Sequence, residues 1–118
     1  RRPKLYKDFD SENNIGLSTI LSGETSIEEC TIKSVSENMD VIVSGPIPSN
    51  PADIFLSKNF ENLIKDLKSK YDKIIIDTAP IGLVADAYMI MKHTDVNLYV
   101  VRQNFTNKEV LRFVNELD

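Results

Sequence analysis

The sequence predicts an α/β fold, three layers in which helices cover both faces of a mainly parallel sheet, and three observations predict it. The run Lys73-Ile74-Ile75-Ile76-Asp77-Thr78-Ala79-Pro80 is apolar and stops abruptly in a carboxylate, a hydroxyl and a proline. Three consecutive β-branched residues without polar alternation read as a central parallel strand buried on both faces. An amphipathic helix leads directly into that strand, and candidate strands and helices alternate along the rest of the chain, which implies right-handed crossovers.

Residues 1–15 carry no strong periodicity, and the start, with no methionine, reads as the middle of a loop and hence as a fragment. Ile15 to Gly23 is a short helix with Leu17, Ile20 and Leu21 on one face and a glycine to close it. Met39 to Gly45 is a strand, stopped by the loop Gly45-Pro46-Ile47-Pro48-Ser49-Asn50-Pro51. Asn50 before Pro51 is a natural helix start, and Asp53 adds a favourable charge in that first turn. From Ser57 to Tyr71, Phe60, Leu63, Ile64, Leu67 and Tyr71 recur every three or four residues, so this helix lays one face on the sheet. A helix over Asp86–Met91, a strand over Val96–Val101 and a helix over Lys108–Leu117 follow. Three strands are few for such a sheet, so further strands are expected from outside this chain.

At 118 residues the chain has the size of one domain or a piece of one. Its apolar stretches, broken at Asp77, Asp86 and Lys92, are shorter than the roughly 20 residues of a membrane span, and no signal peptide opens it. A net charge of −4 argues against a general nucleic-acid or anionic-membrane binder. Lys65, Lys68, Lys70 and Lys73 read as a solvated face. A single cysteine, Cys30, excludes a disulfide framework and a thiolate metal cluster, and without a paired His it is not read as a nucleophile.

Asp77 stands out among the candidate functional residues, because ligands of open α/β sheets bind beyond the carboxyl ends of the strands. An acid there can hold a metal ion on a nucleotide phosphate, or it can simply cap the next helix. Thr78 can bond a phosphate-bound water or close its own turn. Arg102 ends a strand on the same expected side, either lining a nucleotide pocket or facing solvent. Asp86 reads as a helix cap or a switch near the nucleotide, and His93 as a partner of a helix C-terminal dipole. Tyr6, Tyr71, Tyr88 and Tyr99 read as ordinary core or amphipathic positions.

Taken in order, Arg1-Arg2-Pro3, Gly16-Leu17-Ser18 with Leu21-Ser22-Gly23, Gly45-Pro46-Ile47-Pro48-Ser49-Asn50-Pro51-Ala52, Tyr71 to Pro80, and Ala85-Asp86-Ala87 resemble the kinase domain of bacterial tyrosine kinases of capsular and exopolysaccharide synthesis and export. The resemblance runs over nearly the whole chain. It implies a three-layer α/β/α P-loop NTPase-like sheet, similar to MinD- and ParA-type ATPases, of which residues 1–118 are the C-terminal portion. It implies ATP and Mg²⁺ as cofactors, Asp77 as the Walker B acid that organises the metal and serves catalysis, and Arg1 as the arginine closing the second Walker motif. Thr78 and Arg102 complete the implied nucleotide contacts.

The same resemblance implies a protein-tyrosine autokinase in the cytoplasm at the inner face of the plasma membrane. Its implied partners are a membrane protein of the chain-length-determining, polysaccharide copolymerase type, further copies of itself in a ring, and a cognate tyrosine phosphatase; nucleic acid is not among them. The chain departs from the family pattern in having no Gly-Lys pair, so the Walker A strand and loop are absent from it, as are the two aspartates expected before Arg1 and a tyrosine-rich tail. Alone, the fragment is expected to be inactive. A MinD- or ParA-like positioning ATPase and a non-catalytic interaction module of the same fold are the competing readings.

Overall fold

The computed structural model describes residues 5–9, 11–48, 54–55, 57–79 and 86–106. A 3₁₀ turn over Leu5–Phe9 is followed by α1 (Leu17–Leu21), α2 (Ile27–Cys30), β1 (Thr31–Ser36), β2 (Met39–Ile42), α3 (Lys58–Lys70) and α4 (Asp86–Met91). Arg1, the expected helix start at Asn50–Pro51 with Asp53, and the expected helix over Lys108–Leu117 lie outside the described residues.

The helix α3 forms where its periodicity predicts, flanked by Ser57 and closed by Tyr71, whose N–H donates to the Leu67 carbonyl at 2.9 Å. Its lysines face solvent, and Lys70 and Lys68 pair with Glu28 at 2.7 Å and Asp95 at 3.3 Å. Phe60, Leu63 and Ile64 join Leu21 and Ile90 in the buried core, with Leu17, Ile20, Ile27, Ile54, Phe55, Leu67 and Ile76 packed around them. Phe60 is the centre, 2% exposed and met edge-on by the rings of Phe55 at 5.6 Å and His93 at 5.2 Å.

α1 is held at both ends. Gly23, at φ 79°, supplies the left-handed turn that ends it. At its start the N–H groups of Leu17 and Ser18, unpaired within the helix, donate to the carbonyls of Val43 (2.8 Å) and Ser44 (3.0 Å). The Asn13 side chain clasps the same stretch: its amide donates to the Gly45 carbonyl at 2.6 Å and its oxygen accepts from the Gly45 N–H at 3.0 Å. Gly16 packs so closely on Val43 and Gly45 that a Cβ there would collide with their backbone. The proline-rich loop therefore leaves β2 from a fixed point.

α2 and β1 fall where no element is predicted. α2 starts with a capping box: the Ser26 hydroxyl accepts from the Glu29 N–H at 3.3 Å, and the Glu29 carboxylate accepts from the Ser26 N–H at 2.7 Å. β1 and β2 then form an antiparallel hairpin, with Thr31 opposite Ile42, Ile32 opposite Val41 and Ser36 opposite Met39. The register slips between Ile32 and Ser36, where Ser34 sits at φ 54° in a bulge; Asn38, at φ 57°, makes the turn.

The strand readings at 73–78 and 96–101 need correction. Neither segment is paired: among the described residues the only ladder is the β1–β2 hairpin. Nor is the isoleucine run buried on both faces: Ile76 packs on the core whereas Ile75 is 93% exposed. An apolar triplet is doubly buried only when layers cover both sides, and the described residues supply one. Leu98 and Val100 are left similarly open, at 88% and 87%.

Candidate functional site

The route from helix to Asp77 is short. Tyr71 turns the backbone from α3 into the extended conformation (φ −129°, ψ 137°), and the next residues alternate. Ile74 and Ile76 are half-buried, Ile76 against the core, while Lys73, Ile75 and Asp77 are exposed. Successive side chains of an extended segment point to opposite faces, so Asp77 shares the open face of Ile75, away from the α3 core. Among the described residues its carboxylate enters no hydrogen bond or ion pair, and Thr78 beside it is exposed.

Arg102 ends the second extended segment in a closed turn. Its N–H donates to the Thr106 hydroxyl at 2.9 Å, its carbonyl accepts from the Phe105 and Thr106 N–H groups, and its guanidinium lies 5.2 Å from the centre of the exposed Phe105 ring. The turn joins a cation to an open aromatic face. Among the described residues no hydrogen bond or ion pair links Arg102 to Asp77 or Thr78.

A divalent cation can be tested against these groups. Among the described residues no three His, Cys, Asp or Glu side chains gather to enclose a metal. A lone exposed carboxylate at a strand end beside a hydroxyl is a donor set for Mg²⁺, which keeps several waters and takes one or two carboxylates plus phosphate oxygens. It does not suit Zn²⁺, which needs three or four protein ligands.

Two other residues read from the sequence pack against neighbours. His93 follows α4 and packs its ring on Phe60. Cys30 is buried, its sulfur 3.1 Å from the Thr25 hydroxyl. Asp86 is the first residue of α4. A shallow open cleft between α1 and α3, about 200 Å³, is floored by Ile20, Ile27 and Leu63, and Asp66 is its one ionisable lining group. Sequence reasoning missed the joining of Lys33, Asp40 and Tyr71; the signal was an acid inside the otherwise apolar run Met39–Val43.

Comparison with known proteins extends these observations. A family model described as an AAA domain matches residues 5–117. The chain is 37% identical over 109 residues to tyrosine-protein kinase YwqD of Bacillus subtilis, an alignment covering 92% of this chain and 46% of that protein. It is 38% identical over 119 residues to tyrosine-protein kinase wzc of Salmonella typhi, covering all of this chain and 17% of that protein. Its fold superposes on the kinase domain of the Escherichia coli tyrosine kinase ETK with a TM-score of 0.90 at 25% identity, over 99% of this chain and 46% of that one. The chain thus spans less than half the length of each of these relatives, and its architecture is that of part of their P-loop NTPase-like α/β/α domain.

Proposed function

The chain belongs to the AAA-domain family, among its bacterial tyrosine kinases, and from that premise we propose that it is one portion of an ATP- and Mg²⁺-dependent protein-tyrosine autokinase. Residues 1–118 are the C-terminal portion of one kinase domain, completed by a Walker A strand and loop that this sequence does not contain. The observation that carries the proposal is Asp77: an exposed carboxylate that enters no ion pair among the described residues, in a chain whose relatives are named tyrosine kinases.

Each site residue has a task in this reading. Asp77 would hold Mg²⁺, its negative charge favouring the cation there. When bound, Mg²⁺ neutralises charge on the β- and γ-phosphates, the chief electrostatic contribution to phosphoryl transfer. Thr78 bonds a water of the cation's shell. Arg102 takes a place at the ribose or base, where the exposed Phe105 ring offers an adjoining apolar plane, and Arg1 approaches the phosphates from outside the described residues. In the cell the kinase acts in capsular or exopolysaccharide synthesis and export, on the cytoplasmic face of the plasma membrane. Among the described residues no helix is long and apolar enough to cross that membrane. A chain-length-determining membrane protein, further copies of the kinase in a ring and a tyrosine phosphatase complete the proposed setting.

Calorimetry on the full-length protein tests this. The wild type is expected to bind ATP with Mg²⁺ and the Asp77→Ala variant to bind at least about tenfold more weakly, roughly 1.4 kcal/mol or more; the wild type then phosphorylates its own tyrosines. No binding by the wild type overturns the nucleotide assignment. Binding and hydrolysis without tyrosine phosphorylation overturns the kinase in favour of a positioning ATPase.

A further inference from the structure

All four tyrosines of the chain lie among the described residues, and they differ in how free their hydroxyls are. Tyr71 is tied down: its hydroxyl donates to the Asp40 carboxylate at 2.7 Å and accepts from the Lys33 ammonium at 3.1 Å. Tyr6 and Tyr99 are half-buried. Tyr88 is 59% exposed, and among the described residues its hydroxyl enters no hydrogen bond.

The freedom of Tyr88 follows from its place on α4. Ile90 is buried in the core, and two residues along a helix turn the side-chain direction by about 200°, so Tyr88 stands on the face opposite the one that packs. In a three-layer domain that outer face of a covering helix is the one turned to water, so the ring stays accessible when further strands complete the sheet. α4 is six residues long, under two turns, and a helix that short opposes local opening only weakly.

Lys92 follows in the turn that closes α4, where the His93 and Thr94 N–H groups donate to the Ile90 and Met91 carbonyls. It stands at i+4 from Tyr88, the spacing at which side chains on one helix face meet. Lys92 is exposed and enters no ion pair among the described residues. An anion on the Tyr88 ring therefore has a cation within reach.

We propose that Tyr88 is a phosphate-acceptor site of the kinase and that Lys92 pairs with the phosphate placed there. The inference rests on the reading above, in which the complete protein transfers phosphate from ATP to its own tyrosines. The phenolic oxygen attacks the γ-phosphorus; an O–P bond forms as the bond to the ADP oxygen breaks, ADP leaves, and the phenolic proton passes to solvent. The side chain then carries a charge of about −1.5 to −2 beside Lys92.

The test is phosphopeptide mapping of the full-length protein, first stripped by a tyrosine phosphatase and then incubated with Mg²⁺ and ATP. Tryptic cleavage puts each of the four tyrosines in a peptide of its own, Tyr88 in residues 74–92. Phosphate is expected on that peptide at an occupancy at least about tenfold above the Tyr71 peptide, the factor that giving up one charged hydrogen bond implies. Tyr88→Phe, which keeps the ring, should abolish it and leave phosphate elsewhere on the protein unchanged. Hydrogen exchange over residues 88–92 is expected to be about threefold slower in the phosphorylated protein, and Lys92→Met to erase that difference.

Phosphate on other tyrosines with residues 74–92 unmodified overturns the Tyr88 site and leaves the kinase standing. Labelling of Tyr71 equal to that of Tyr88 overturns the rule of access that singles Tyr88 out. Exchange that is unchanged by phosphate, or slowed just as much in Lys92→Met, overturns the pairing with Lys92. If the wild type places phosphate on no tyrosine, the proposed function itself fails, and this site with it.

Discussion

Ile75 and Ile76 are neighbours of identical chemistry with opposite fates. Ile76 lies against the core around Phe60, whereas Ile75 stands almost fully in solvent. The contrast extends to two regions: one in which α1, α3 and α4 close around shared apolar side chains, and one in which the 73–79 and 96–101 segments present Ile75, Val96, Leu98 and Val100 outward. An apolar face this open is the mark of an interface. The packed region holds itself together, whereas these exposed apolar side chains lie outside the cluster around Phe60.

The largest expected effect breaks the packed region. Phe60→Ala removes a ring 2% exposed and flanked edge-on by Phe55 and His93, and should cost about 3–5 kcal/mol of unfolding free energy. For a domain of ordinary stability that is about a fifth or more of the total. Denaturant titration reads it directly. A loss under about 1 kcal/mol would mean that this core does not hold the region together.

A sharper comparison uses the isoleucine pair. In this chain Ile76→Ala should cost about 2 kcal/mol and Ile75→Ala under about 0.5, since an exposed methylene has little to lose. In the full-length protein the two should converge, Ile75→Ala rising to about 2 kcal/mol or more as a second layer buries it. Urea midpoints of four variants, two in each length of protein, suffice. If Ile75→Ala stays neutral in the longer protein, its face is not an internal interface of the domain.

These outcomes also show what the sequence could convey. The 3–4 spacing of Phe60, Leu63, Ile64 and Leu67 located α3 to within a residue at each end, because one face of a helix is a local pattern. Gly23 at φ 79° closed α1 as its glycine foretold, and α4 spans Asp86–Met91 as expected. Burial on both sides of Ile74–Ile76 could not be read this way, since it depends on what lies across the sheet. The α2 start was legible and missed: Ser26-Ile27-Glu28-Glu29 is a capping-box sequence. The hairpin was harder, because Thr31–Ser36 mixes polar and apolar residues around a bulge. The Asp40–Tyr71 bond joins residues 31 positions apart and left no local trace beyond the acid itself.

The smallest expected effect probes, through pH, the fastening of the hairpin to the end of α3. Asp40 is held down from 3.8 to about 2, first by the hydrogen bond from Lys33 and then by those from Tyr71 and the Ser34 N–H. Lys33 is pushed up from 10.5 to about 12, first by Asp40 and then by Tyr71. For the depressed acid, the stabilisation is complete above the unfolded value near 3.8 and is lost as pH falls through about 2; for the raised base, it is complete below 10.5 and is lost as pH rises through about 12. The contact should therefore be intact from about pH 4 to 10.5 and weaken outside that window. Its contribution is modest, because Lys33 is well exposed and screened by salt. Measured as unfolding midpoint against pH, Asp40→Asn should flatten the acid limb between pH 4 and 2, and Lys33→Met the alkaline limb between 10.5 and 12. An acid limb of unchanged steepness in Asp40→Asn would assign it to other carboxylates, Glu28 and Glu29 first, whose values Lys70 and Ser26 also lower.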